Sequence, residues 1–158
     1  MPVEDTKFLV CEEGNCATLA IVGRACYLNC MGVSEFFDTA VRDKKEVVNI
    51  DFAGCTGVDS TFLGIIAKLA IRLRPNKGKV VLCNISDRNL EVVQNLGLDK
   101  ILEIGNLPKD GLSAKSPLSN SPSVQSEMLS AHESLVRANP ENLKKFEDVI
   151  SFLKKRVE

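Results

Sequence analysis

Apolar residues recur along the chain with two different periods, and the period changes several times between residues 6 and 104. Alternating or continuous apolar runs predict strands over 6–10, 17–22, 46–52, 79–84 and 100–104, with a hairpin turn at 12–15. Helical spacing covers 33–41, 60–74 and a short segment that Ser86 or Asp87 caps and Gly97 ends. Strand and helix alternate from 46 to 104, so we expect an α/β domain with one mixed sheet of four to five strands and helices packed on it.

The last third of the chain has a different pattern. Residues 106–126 are rich in Ser and Pro without apolar periodicity and predict a flexible linker. A helix over 127–138 aligns Met128, His132 and Leu135, and Asn139-Pro140 begins a second helix. That helix carries an apolar seam at Leu143, Phe146, Ile150, Leu153 and Val157. We therefore divide the chain into a domain (1–105), a linker (106–126) and a helical extension (127–158).

Two arrangements of the helical extension fit its short apolar seam. It either packs back on its own sheet domain, or it forms a homodimer or a docking arm for a partner. His132 is expected to be a surface or seam residue, since nothing near it in the sequence would build a metal site.

Charge and hydropathy exclude several classes of function. Twenty basic residues against twenty-one acidic ones leave no positive field for nucleic acid, and the absence of Trp argues against base stacking. No stretch approaches the roughly 20 apolar residues of a membrane span. The first residues lack the basic start and apolar core of a secretory signal, so we expect a cytoplasmic protein.

Six cysteines and a single histidine limit metal and thiol chemistry. No Cys-x-x-Cys pair is present, which argues against zinc and thioredoxin-type sites, and we expect no metal or cofactor. In a reducing compartment these thiols are expected to be buried structural residues. Cys26 differs because it is expected in a loop, where a small thiol enzyme would place its nucleophile.

The most informative segment is the end of the central predicted strand. Residues 50–64 read Ile-Asp-Phe-Ala-Gly-Cys-Thr-Gly-Val-Asp-Ser-Thr-Phe-Leu-Gly, and the helix pattern begins immediately after Asp59. Ser60 or Asp59 is therefore expected to cap the helix. An exposed Ser60 would also be a phosphate acceptor, and roughly two added negative charges there would switch a docking surface. Spacing alone leaves both alternatives open.

These residues resemble STAS domains, the anti-sigma factor antagonist family. The resemblance lies in the buried strand followed by Gly-Val-Asp-Ser-Thr-Phe-Leu-Gly (57–64), and in the later Asn-Leu-Gly-Leu-Asp-Lys-Ile-Leu (95–102). It covers roughly residues 6–105. It implies a non-enzymatic interaction module that binds a serine-kinase anti-sigma factor and is released when that kinase phosphorylates it, and a phosphatase then resets the switch.

Carried onto this chain, the resemblance makes Ser60 the phosphorylated serine, with Thr61 as an alternate acceptor. Asp59 and Gly57 would belong to the surface that contacts the partner, together with Arg24 and Cys26 in the loop after the second strand. That loop departs from the family pattern, because Gly-Arg-Ala-Cys (23–26) replaces Gly-acidic-apolar-Asp. The departure implies either a kinase with a complementary acidic surface or no kinase at all. The alternative function is a STAS scaffold, or a module that binds a nucleotide or lipid, without a phospho-switch.

Overall fold

The structure is a computed structural model that describes residues 5–107 and 116–157. A mixed sheet of six strands forms its frame, in the order β5-β4-β3-β2-β1-β6. The strands are β1 (Lys7–Glu13), β2 (Cys16–Ala25), β3 (Val47–Val58), β4 (Lys79–Cys83), β5 (Glu103–Gly105) and β6 (Ser116–Pro117). The helices are α1 (Met31–Arg42), α2 (Ser60–Leu73), α3 (Asp87–Asn95), α4 (Gln125–Ala138) and α5 (Asn142–Val157).

The strand pairing follows from the lengths of the connections. The short turn between β1 and β2 permits an antiparallel hairpin, in which Lys7 pairs with Val22 and Glu13 with Cys16. Longer connections that contain α1, α2 and α3 make β2, β3, β4 and β5 successive parallel neighbours. The predicted α/β class with parallel crossovers is thus confirmed.

The core lies where the inward residues of the strands meet the helices. Leu19, Ile50 and Leu82 come from neighbouring strands and are fully buried. Helix α2 is apolar around most of its circumference, and Leu63, Ile66 and Leu73 add to the same core. The burial of these side chains, at about 25 cal/mol per Å² of apolar surface, is the main term that holds α2 on the sheet.

β1 and β2 run past their predicted ends, to Glu13 and Ala25, so Arg24 lies in β2 and not in the loop after it. Three further strands also differ from the prediction. β3 continues to Val58 because residues 54–58 still pair with β2 through two irregularities in register. β5 begins at Glu103, since a 3₁₀ turn over Leu98–Lys100 occupies part of the predicted strand. β6 was not expected and raises the count from four or five strands to six.

The predicted linker over 106–126 is partly ordered against the domain. β6 pairs with β1, and the Leu118 N–H donates to the Phe8 carbonyl at 2.9 Å. The Ser121 carbonyl accepts from the Met31 N–H at 3.0 Å, so this half of the segment is held at several points and differs from the flexible linker that was predicted. Residues 108–115 of the linker lie outside the described part of the chain.

The two C-terminal helices pack back on the sheet domain, and α4 lies along α2. Ala131 and Leu135 of α4 are fully buried in the common core. Asn142 at the start of α5 is also fully buried, and its amide donates to the carbonyls of Leu96 and Leu135. In the described residues, no helix combines the length and apolar character that crossing a membrane requires.

Candidate functional site

Asp59, at the end of β3, caps helix α2. Its carboxylate Oδ1 accepts from the Phe62 N–H at 2.9 Å, and its backbone is extended, as an N-cap requires. The second oxygen, Oδ2, accepts from the Tyr27 N–H at 2.9 Å. One side chain therefore begins α2 and fixes the loop between β2 and α1 beside it.

Because Asp59 caps the helix, the hydroxyl of Ser60 is free for another contact. Ser60 is the first residue of α2 and is partly exposed. Its Oγ lies 2.9 Å from Nε2 of His132, which belongs to α4. The hydroxyl that the sequence singled out is thus held by a side chain 72 positions further along the chain.

The partners of His132 determine the direction of this hydrogen bond. Nδ1 lies 2.8 Å from the Met128 carbonyl, which can only accept, so Nδ1 carries a proton and donates it. In the neutral imidazole Nε2 is then unprotonated, and it accepts from the Ser60 hydroxyl. The ring is buried and meets the edge of Phe146 with centroids 5.3 Å apart. In that tautomer His132 accepts the hydrogen bond from Ser60.

Two further contacts join α2 to α4 beyond Ser60. A Cβ placed on Gly64 would clash with the Ala131 carbonyl oxygen, so the two helix backbones touch here and only glycine fits. One turn further along, Lys68 Nζ lies 3.5 Å from a carboxylate oxygen of Glu127. Gly64 thus has a packing role between the two helices. Ser60, Gly64 and Lys68 form one stripe of α2, which we call the α2 stripe, and α4 covers it.

The register of the sheet brings the other predicted site residues to the same end of the strands. Arg24 pairs with Gly57, and Arg24 is exposed. A Cβ on Gly57 would meet only the Arg24 side chain, at 3.9 Å, so this glycine leaves open space. Cys26 is buried in the following loop, where its N–H donates to Asn29 at 3.0 Å. Thr61 is 3% exposed, which leaves Ser60 as the accessible hydroxyl of the turn.

Sequence reasoning did not find the contact between His132 and Ser60. The spacing of Met128, His132 and Leu135 predicted a surface or seam position for the histidine, and the structure buries it in the seam. Nothing in the sequence indicates that this seam faces the start of α2. The pattern also gave no sign that Ser60, expected to be exposed, would be half-covered.

Three thiols, those of Cys30, Cys55 and Cys83, are poorly suited to nucleophilic chemistry. Burial raises the pKa of Cys30 to about 12 and that of Cys83 to about 11, and burial also raises the pKa of Cys55. These three groups therefore stay protonated near neutral pH, and a thiol attacks as its thiolate. Within residues 5–107 and 116–157, no three His, Cys, Asp or Glu side chains are grouped to hold a metal ion.

The fold is thus an α/β domain on a mixed sheet, with a serine turn at the carboxyl end of its central strand β3 that Asp59 caps. The family model described as Mlab, STAS domain, matches residues 8–104. The chain therefore belongs to the STAS domain family, as its motifs indicated.

Solved structures of similar fold include anti-sigma factor antagonists. Unphosphorylated SpoIIAA aligns with a TM-score of 0.56 at 15% identity, over 65% of this chain and 91% of that one. The phosphorylated form of the Bacillus cell fate determinant SpoIIAA aligns at 0.54 and 16%, over 65% and 93%. An antagonist from Mycobacterium paratuberculosis aligns at 0.52 and 19%, over 67% and 90%. At these identities the likeness shows a common fold. No curated protein sequence matches the chain.

Proposed function

We propose that this protein is a phospho-regulated interaction module that acts as an anti-sigma factor antagonist, with Ser60 as the switch. In this proposal the unphosphorylated chain binds a serine-kinase anti-sigma factor through the turn at Asp59 and Ser60. Phosphorylation of Ser60 by that kinase releases the complex, and a phosphatase restores it. The activity is binding, and we assign no catalysis to the chain.

One observation carries the proposal: Ser60 is partly exposed, and its hydroxyl takes no part in capping its own helix. Asp59 performs the capping, so a covalent change at Ser60 leaves the start of α2 intact. A docking site needs this separation, because the switch must alter the surface without unfolding the helix that presents it.

Charge gives the expected sign of the switch. A phosphate on Ser60 adds about −1.5 to −2 charges next to the Asp59 carboxylate. In a closely packed interface both negative groups would be desolvated without a compensating positive charge. The phosphate should therefore expel a protein bound at this turn. Exposed Arg24 adds a positive group at the same end of the sheet, and it would favour a partner with an acidic surface.

Mass spectrometry of the protein purified from its native cells tests the proposal. We expect phosphate on the Ser60 peptide under growth or stress, and no phosphate in Ser60→Ala. Ser86 is a matched control, since it also begins a helix but its Oγ accepts from the Asn89 N–H as a cap. If Ser60 stays unmodified in every condition, the phospho-switch is wrong.

A binding experiment tests the partner class separately. The full chain should retain a kinase-fold anti-sigma factor from native extract, and the isolated complex should dissociate when ATP and Mg²⁺ are added. The same complex formed with Ser60→Ala should persist in ATP. If ATP dissociates both complexes equally, Ser60 is not the switch. The cytoplasmic location remains a prediction of the sequence.

A further inference from the structure

We propose that α4 is an intramolecular cover of the α2 stripe, and that docking of α4 and phosphorylation of Ser60 exclude each other. The inference deepens the proposed function, because it concerns access to the same serine. It rests on three contacts between α2 and α4 that lie at successive turns of α2: Ser60, Gly64 and Lys68.

The three contacts show that α4 is fitted to this stripe. Along α2, from Ser60 through Gly64 to Lys68, the facing residues of α4 are His132, Ala131 and Glu127, so the two helices run antiparallel. A hydrogen bond, a backbone contact and an ion pair follow one another. The middle contact is the most selective, because any side chain at 64 would have to push the α4 backbone away.

Ser60 is the position at which docking and modification conflict. A phosphate on Oγ would occupy the 2.9 Å that separates Oγ from His132 Nε2. The phosphorylated Oγ has no proton left to donate to Nε2, and the phosphate is too large for the space between the two atoms, so the hydrogen bond is lost and α4 is pushed away. Asp59 adds a second negative group on the same turn. We therefore expect α4 to leave the stripe when Ser60 is phosphorylated.

The same conflict applies in the other direction. A kinase must enclose the hydroxyl it phosphorylates, and here the hydroxyl donates to a buried ring on α4. By thermodynamic linkage, if phosphate weakens α4 docking by some factor, docking disfavours phosphorylation by that factor. The cover would thus hold the chain in its unmodified state until something opens it.

Hydrogen exchange on the full chain with phosphoserine encoded at position 60 tests the exclusion. We expect amides of α4 to exchange roughly tenfold faster or more. This factor corresponds to the docking free energy lost with one buried hydrogen bond and its neighbouring contacts. Phosphoserine at position 86 is the control, because the Ser86 Oγ caps α3 by accepting from the Asn89 N–H and makes no hydrogen bond to α4 among the described residues. Unchanged or slower exchange in α4, as a new ion pair between phosphate and protonated His132 would produce, overturns the proposal.

Gly64→Ala opens the cover without any phosphate. Its added Cβ meets the backbone of Ala131, so we expect the same acceleration in α4, while amides of β3 and β4 keep their protection. Gly57→Ala is the matched control, because a Cβ there meets open space and α4 exchange should not change. If Gly64→Ala leaves α4 protected while the fold is intact, the cover is not held at this stripe.

The two proposals fail in different ways. Encoded phosphoserine requires no kinase, so the exchange result is independent of whether cells modify Ser60. A cover that opens on encoded phosphate while native Ser60 is never modified would leave the cover standing and overturn the phospho-switch. Phosphorylation of native Ser60 without any effect on α4 exchange would support the phospho-switch and overturn the cover.

Discussion

At Ser60 and His132, the chemistry of single atoms decides how two distant parts of the chain interact. The Met128 carbonyl fixes the imidazole tautomer, and the tautomer fixes Ser60 as the donor. The sequence singled out Ser60 as a candidate from its place between a strand and a helix. It could not predict the acceptor, because a contact across 72 residues depends on how two helices pack, which local patterns do not encode.

A double-mutant cycle measures the Ser60–His132 hydrogen bond. His132→Phe keeps an aromatic ring against Phe146 but removes the acceptor, and Ser60→Ala removes the donor. We expect a coupling energy of about 1 kcal/mol in urea unfolding, the net value of such a bond. Ser86→Ala combined with His132→Phe should be additive, because the two residues share no partner in the hydrogen bonds described. Additivity of the Ser60 pair as well would contradict the contact.

Cys30 should make stability depend on pH in the alkaline range. Burial raises its pKa from 9.0 to about 12, so the folded chain holds this proton at a pH where the unfolded chain has lost it. The contribution to stability is therefore complete below about pH 9 and is lost as pH rises from 9 towards 12.

The slope of stability against pH isolates the Cys30 effect. Between pH 9.5 and 10.5 the free energy of unfolding should fall by up to about 1.4 kcal/mol per pH unit from this one proton. Cys30→Ala should remove that part of the slope, while other titrating groups contribute equally to both proteins. Parallel curves for the two proteins would show that the pKa of Cys30 is not raised.

Among the helices and strands, those with a strong period were predicted well and those fixed by tertiary pairing were not. The helices α1, α2 and α3 followed from their apolar spacing and caps, and residues 47–52 of β3 followed from a continuous apolar run. Residues 53–58 extend β3 only because β2 lies alongside. β6 is two residues, one of them Pro117, and no local propensity indicates a strand there. Pairing with the edge strand β1 creates it.

The cap of α2 is predicted to matter more than the cap of α3. Asp59→Ala removes both the bond to Phe62 and the bond to Tyr27, whereas Ser86→Ala removes one cap bond. In chemical denaturation we expect the free energy of unfolding to fall by about 2 kcal/mol for Asp59→Ala and by about 1 kcal/mol for Ser86→Ala. Asp59→Asn, which keeps an oxygen at the cap, should lose less than Asp59→Ala. Equal losses for Asp59→Ala and Ser86→Ala would show that the bond to Tyr27 contributes nothing.

Asn142 is predicted to hold the C-terminal helices to the domain. Its amide donates to Leu96 beyond α3 and to Leu135 in α4, at 3.0 and 2.8 Å, from a fully buried position. Asn142→Ala leaves two buried carbonyls without this donor. We therefore expect the free energy of unfolding, measured by heat or urea, to fall by about 2 kcal/mol. Exposed Asn76→Ala is the control and should change stability by less than about 0.5 kcal/mol. A similarly small change for Asn142→Ala would contradict this role.

In the molecule as a whole, the C-terminal helices extend the core of the STAS domain. Ala131 and Leu135 join the cluster that α2 forms with the sheet, and His132 closes the contact over Ser60. The division into a domain, a linker and an extension remains a prediction from composition. The structure adds that residues 116–124 are anchored to β1 and to the loop before α1, which composition could not indicate.

The homodimer expected through the C-terminal helices remains a prediction, and it would use the outer face of α5. Phe152 is 55% exposed there, and Val149 and Val157 are also exposed. Sedimentation equilibrium of the full chain tests it: a dimer that Phe152→Glu converts to monomer supports this face. Lys155→Glu, a charge change on the same helix, is the control and should leave the mass unchanged. A monomer at all concentrations contradicts the homodimer.

The short attachment of α4 has a quantitative consequence for any partner. Ser123 is bonded to the Tyr27 carbonyl at 2.7 Å, and α4 begins two residues later, so Val124 alone separates the anchor from the helix. A segment tethered this closely meets its surface at an effective concentration in the millimolar range or above. A partner of the Ser60 surface must compete with that fixed local concentration. Its apparent affinity is reduced in proportion to the fraction of molecules in which α4 is undocked. Occupancy in the cell is then set by how much partner is made, as well as by how tightly it binds.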